Sequence, residues 1–104
     1  MFKAELTQLG LSEEEATVYE ALLNSKALPA AALLAKTPYK RGNLYNILAD
    51  LETKGLVIRS DKAKNATFEA AHPNKVLELL ETKAQALRKT RATLDAAMPQ
   101  ILST

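Results

Sequence analysis

The chain has 104 residues, of which 47% are hydrophobic and 25% charged, and its net charge is +2. That balance describes one ordinary folded domain with a small core rather than a disordered segment. With no cysteine and a single histidine, it offers no disulfide, no thiol nucleophile and no cysteine- or histidine-rich metal site.

In chain order, Phe2, Leu6 and Leu9 fall at i, i+4 and i+7 and predict a short opening helix that stops where Gly10 takes a left-handed position. Ser12 with Glu15 forms a capping box, and Leu11 with Ala16 occupies the positions of a hydrophobic staple. Ala16, Tyr19, Leu22 and Leu23 continue the buried face, so a helix is expected over 13–24. Glu13, Glu14 and Glu15 suit the positive end of its dipole, which is reason enough for their presence. Residues 26–28 read as a brief extended link, and Pro29 fits the first turn of a short helix reaching Lys36, anchored by Leu33 and Leu34. Thr37-Pro38 interrupts the pattern before the next helix begins.

That next helix, about 40–54, has two unlike faces. Leu44, Ile47, Leu48 and Leu51 form an apolar stripe for a protein core. The opposite face carries Gly42, Asn46, Ala49 and Thr53, small or uncharged, with Lys40, Arg41 and Asn43 at its N-terminal end. Small residues, an amide and cations in that placement suit a helix lying in a DNA major groove. Gly55 ends it, and two strands follow at 56–59 and 66–70. The polar turn between them, Asp61 to Asn65, makes a β-hairpin whose tip carries Lys62 and Lys64 beside Arg59. Such a tip, about 59–67, forms a wing able to reach phosphates or the minor groove.

After His72-Pro73-Asn74 comes a long helical pattern, expected to run to Met98 and to end or kink at Pro99. Leu77, Ala84, Arg91 and Met98 occupy heptad position a, and Leu80, Leu87, Leu94 and Ile101 position d. Arg91 alone departs from the apolar rule. A narrow stripe on so long a helix calls for a second helix and so for a homodimer through these eight residues. In a parallel pair Lys83 would face Arg88, which favours an antiparallel or splayed crossing.

Charge is unevenly spread: residues 1–39 hold three lysines against five glutamates, and residues 40–70 hold six basic residues against four acids. The basic middle favours an electrostatic footprint on one side of the fold. Scattered acids, one histidine and three separated glycines leave no catalytic constellation, phosphate loop or cofactor site, and the chain is not expected to be an enzyme. No apolar run approaches the roughly 20 residues of a membrane span, and the N-terminus lacks a signal-peptide core. A cytoplasmic protein without a membrane partner is expected.

Two segments resemble a known family. LTQLGLSEEEATVYEALL, Leu6 to Leu23, is similar to the first helices of TrmB-type transcriptional regulators, and RGNLYNILADLETKGLV, Arg41 to Val57, is similar to their recognition helix and first wing strand. The resemblance implies that Arg41, Asn43 and Asn46 face DNA and that Tyr45 packs at the helix edge near the backbone. Tyr39 joins the candidate contacts from a turn that differs from the family's. The helix before the turn, PAAALLAK, lacks the cap and acidic residue usual in the family, which implies looser attachment. Many members carry a sugar-binding C-terminal domain, which these residues do not contain, so an effector is not implied.

The expected fold is mainly α with a small β-hairpin. A winged helix-turn-helix domain at 1–72 is followed by a long dimerisation helix at 73–104. The expected function is sequence-specific binding of double-stranded DNA by a homodimeric transcriptional regulator. The alternative is a winged-helix interaction module docking on transcription or chromosome machinery.

Overall fold

A computed structural model describes residues 2–61 and 65–103. Five helices and three short strands follow in the order α1 (Lys3–Gln8), α2 (Glu13–Leu23), β1 (Leu28–Pro29), α3 (Ala30–Lys36), α4 (Arg41–Thr53), β2 (Val57–Ser60), β3 (Thr67–Ala70) and α5 (Asn74–Leu102).

Two helix ends are built alike. Gly10 and Gly55 have φ of +103° and +79°, a region that glycine enters without a Cβ penalty. At each, two backbone bonds close a Schellman turn: Leu11 N–H to Leu6 O (3.2 Å) with Gly10 N–H to Thr7 O (3.0 Å), and Leu56 N–H to Leu51 O (3.0 Å) with Gly55 N–H to Glu52 O (3.0 Å). Leu6, Leu11, Leu51 and Leu56 are all buried, so each turn also carries the hydrophobic contact that accompanies this motif.

The expected capping box is present. Ser12 N–H donates to Glu15 Oε1 at 2.9 Å, and Glu15 N–H donates to Ser12 Oγ at 3.0 Å. The three glutamates do more than meet a helix dipole, however. Glu13 pairs with Lys3 of α1 at 3.5 Å, Glu14 accepts from Asn43 Nδ2 at 3.1 Å, and the buried Glu15 pairs with Lys54 at the C-terminal cap of α4. Burial pushes the Glu15 carboxyl up. The hydrogen bonds from Lys54 and Ser12 and the Lys54 charge outweigh it and hold the group below its ordinary value of 4.5.

The core is formed by α1, α2, α3, α4 and the sheet, with Val18, Tyr19, Leu22, Leu33, Leu44, Leu48, Leu51 and Leu56 almost wholly enclosed. The Tyr19 hydroxyl is buried without a hydrogen-bond partner among the described residues, and burial pushes its pKa up.

The sheet differs from the expected hairpin by one strand. Its order is β1-β3-β2, all antiparallel, with Leu28 opposite Phe68 and Pro29 opposite Thr67 on one side of β3, and Val57 opposite Ala70 through Ser60 opposite Thr67 on the other. Pro29 ends the edge strand β1 and is the N-cap of α3 rather than its first turn, a placement open to a residue without an N–H. Pairing of β1 with β3 supplies the attachment that the uncapped α3 lacks.

α5 is the second departure. It runs 29 residues through Pro99 to Leu102, about 43 Å at 1.5 Å per residue. Proline at 99 keeps a helical φ and forfeits one backbone bond near an exposed end, where water can take the freed carbonyl; Ser103 N–H still bonds Pro99 O at 3.2 Å. His72 Nδ1 accepts Asn74 N–H at 3.1 Å and so caps the start of the helix. Val76 and Leu79 pack against the core, and the Lys83 side chain lies over Gly10, where a Cβ would meet Nζ at 2.6 Å. Beyond these turns α5 projects from the body, giving a molecule 62 Å long and 24 Å across.

Replacing Glu15 by Gln keeps a capping acceptor but removes the charge, and is expected to cost about 1–2 kcal/mol at neutral pH. A carboxylate with a lowered folded pKa stabilises above its unfolded value and loses that contribution as pH falls through the folded one. The difference between wild type and Glu15→Gln, measured by urea unfolding, should therefore shrink as pH is taken from 7 down past the ordinary value of 4.5.

Candidate nucleic-acid interface

The rotation of α4 is set by Leu44, Ile47, Leu48 and Leu51, all buried. At 100° per residue this turns Gly42, Asn46, Ala49 and Thr53 outward, and all four are exposed. One flank of the helix is directed toward α2, where Asn43 and Lys54 are held by Glu14 and Glu15. On the other flank, Arg41 and Tyr45 line a shallow groove of about 320 Å³ with Ala31 of α3 and Asn65 beside the wing.

The N-terminal turn of α4 is electrostatically open. Its cap, Lys40, makes no side-chain hydrogen bond to the turn, and no acid lies in that turn. The first N–H groups therefore present the positive end of the helix dipole to solvent. Lys40 and Arg41 stand exposed beside it, and among the described residues neither forms an ion pair. Gly42 faces open space, since a Cβ there would meet nothing within 4 Å. Nothing inside the protein demands glycine at this position, although alanine would favour the helix. The Asn46 amide has no hydrogen-bond partner among the described residues, in contrast to Asn43.

The sequence candidates thus fall into groups. Lys40, Arg41, Gly42 and Asn46 share one exposed surface, with Tyr45, 44% exposed, at its edge. Asn43 stands to the side, its amide bonded to Glu14. Tyr39 is half-buried and packs against the core. Arg59, on β2, stacks over Phe68 at 5.9 Å and pairs with Asp61 at 3.3 Å. Lys62 and Lys64 lie outside the described residues. Ala31 and Asn65 join the groove beside Tyr45 without any sequence signal, because their proximity arises only once β1 pairs with β3.

Among the described residues no group of three His, Asp or Glu side chains could hold a metal ion. No helix among them is long and apolar enough to cross a membrane. The eight heptad residues share a face of α5 that the body leaves uncovered: Leu77, Leu80, Leu87, Leu94, Met98 and Ile101 are 40–69% exposed, Ala84 is half-buried, and Arg91 pairs with Asp95 at 3.7 Å.

TrmBL2, an archaeal chromatin protein whose structure is said to show a novel mode of DNA binding, superposes with a TM-score of 0.81 at 23% identity, over 97% of this chain and 41% of that one. The chain thus spans less than half the length of TrmBL2. A protein of Methanosarcina mazei Go1 described as a possible transcriptional regulator gives a TM-score of 0.71 at 14% identity, over 82% of this chain and 77% of that one. NadR in complex with 4-hydroxyphenylacetate gives 0.62 at 19% identity, over 98% of this chain and 83% of that one. At such identities these likenesses speak for the fold. No curated protein sequence matches the chain. The model of the family described as sugar-specific transcriptional regulator TrmB matches residues 6–74, from α1 through the helix-turn-helix and the wing to the start of α5. The family is one of DNA-binding regulators rather than enzymes, and with about two thirds of its length matched, this chain belongs to the TrmB family through a TrmB-type winged-helix DNA-binding domain.

Proposed function

We propose that the protein is a sequence-specific, double-stranded-DNA-binding transcriptional regulator that works as a homodimer, with α4 in the major groove. The observation that carries this reading is the outward face of α4, where an uncapped helix start, a glycine without an internal reason, and two cations and an amide that have no partner among the described residues lie together. Each matches a need of groove binding: N–H groups and cations for phosphates, a bare backbone for close approach, an amide for a base edge. Asn46 is assigned to base reading, with the bidentate pairing to adenine as its natural geometry. Arg41 is assigned to a guanine edge or a phosphate, and Lys40 to a phosphate. Tyr45 borders the backbone. Arg59, Lys62 and Lys64 belong to a wing on the backbone or minor groove, Arg59 exchanging Asp61 for a phosphate. Asn43 contributes only by giving up Glu14, and Tyr39 through the uncovered part of its ring.

Residues 1–72 form the reading unit in this proposal and 73–104 the dimerisation helix. The exposed apolar stripe of α5 supports the dimer, since a contiguous patch of leucines on a monomer marks an interaction surface. Two recognition helices would meet successive major grooves roughly 34 Å apart on a pseudo-palindromic site.

Fluorescence anisotropy with genomic fragments across a salt series tests the reading. Counterion release predicts a steep loss of affinity with salt, and replacing Lys62 and Lys64 should flatten the slope by about one unit per lost phosphate contact. Asn46→Ala should cost about 1–3 kcal/mol on the preferred fragment and almost nothing on random DNA. If no fragment binds better than random DNA at low salt, sequence-specific regulation is wrong. Gly42→Ala should raise the thermal stability by about 0.5–1 kcal/mol, as alanine does in a helix, while weakening DNA binding. Unchanged affinity in that variant would remove Gly42 from the interface.

A further inference from the structure

The apolar stripe of α5 continues past the start of the helix into the body. Leu77 forms one wall of an apolar groove of about 470 Å³, whose other walls include Phe2 and Leu6 at α1, Tyr19 and Leu23 of α2, and Pro73. At the far end of the same helix Ile101 is 48% exposed and Leu102 81%. We propose that two copies pair their α5 helices antiparallel, so that the last turn of each, carrying Ile101 and Leu102, fills the groove of its partner. This rests on the homodimer proposed above and specifies its arrangement.

The heptad accepts this arrangement in the register that overlaps the two helices most. Position a then faces position d of the other helix, so that Leu77 lies opposite the partner's Ile101, Leu80 opposite the partner's Met98, Ala84 opposite the partner's Leu94 and Leu87 opposite the partner's Arg91. In that register Asn74, a lining residue of the groove, lies beside the partner's Leu102. The largest hydrophobic exposure on α5 is thereby brought to the apolar groove at the start of the stripe.

The groove, rather than charge, selects the direction, since only an antiparallel pair brings the last turn of one helix to the groove at the start of the other. A parallel pair would set Arg91 against its own copy within an a layer and Lys83 beside Arg88 on both flanks. Antiparallel, Arg91 meets the aliphatic Leu87 close to the two-fold axis, and its guanidinium keeps Asp95 at 3.7 Å. Along the flanking ridge like charges then face one another, Glu81 with the partner's Asp95 on either side of the two Arg88 side chains, so charge does not favour this direction over the parallel one. Arg88 already reaches along this ridge to Glu81 at 3.1 Å. The starts of the two α5 helices then stand about 45 Å apart, counting 1.5 Å per residue, and the two bodies lie at opposite ends of the helix pair.

The absence of cysteine makes single-cysteine variants clean probes. Leu77→Cys mixed with Ile101→Cys should give a disulfide-linked heterodimer under mild oxidation, whereas Ala84→Cys alone should not cross-link. Self-linking of Ala84→Cys without the mixed product means a parallel pair, which overturns the inference and leaves the dimer standing. A monomer by light scattering at about 100 μM, with no cross-linking in any variant, removes the dimer itself. For the groove, Phe2→Ala and Leu102→Ala should each raise the dimer dissociation constant several-fold, and the double variant by less than the product of the two, as coupled neighbours do. A full product overturns the seating of Leu102 in the groove. So does an apolar dye such as anilinonaphthalene sulfonate binding the wild-type dimer at a site that Phe2→Ala abolishes, because the groove would then be open to a small ligand.

Discussion

Glu15 stands where two helix ends meet. Its carboxylate completes the capping box of α2 and also receives the ammonium of Lys54, the residue that closes α4 just before the left-handed Gly55. A charge this buried is tolerated because backbone and side-chain donors surround it. The leucine stripe of α4 sets how the helix is rotated, while the Glu15 pair and the neighbouring bond from Asn43 to Glu14 set where it lies along α2. A helix held at its start and its end along one flank, and by its apolar face along its length, has little freedom to roll. That rigidity gives the outward face a defined direction before any partner arrives, and groups held in place before binding lose less entropy on binding.

The same economy of contacts explains which side chains remain available. Lys54, Asn43 and Arg59 have partners within the protein, whereas Lys40, Arg41 and Asn46 have none among the described residues. A weakly cationic chain can still present a focused field if the acids are gathered elsewhere, and here Glu13, Glu14 and Glu15 are drawn to the α2 end by helix capping and cross-linking. Net charge is therefore a poor guide to this surface, and the local pairing pattern a better one.

Much of the architecture could be read from local chemistry. Helix starts and stops with strong signals, Ser12 with Glu15 and the two left-handed glycines, lie where their sequence patterns place them. The periodic stripe of α4 predicted its buried residues one by one. Contacts that depend on distant pairing were less legible. Leu28 and Pro29 carry no strand periodicity in two residues, and become a strand only because β3 offers an unpaired edge. Pro99 is a helix breaker by local rule, yet near a solvated helix end the missing bond costs too little to stop the coil. The Glu15 and Lys54 pair joins residues 39 apart in sequence. Both belong to the motifs that carried the family resemblance, the signal from which the pairing could have been inferred. The resemblance places Asn43 on the DNA-facing side and the turn brings Tyr39 beside it, whereas the Glu14 bond and core packing draw both to the margins of the outward face.

The central place of β3 has a mechanical meaning. Thr67 is opposite both Pro29 and Ser60, and Phe68 opposite both Leu28 and Arg59, so the strand leading back from the wing tip is also the anchor for the start of α3. A wing made of two strands alone could swing without disturbing the helices. Here a pull at the tip is a load shared with the first helix of the helix-turn-helix, through a seam of backbone bonds that resist shear along the strand. Wing and recognition unit are thus joined through β3 and the start of α3 at Pro29.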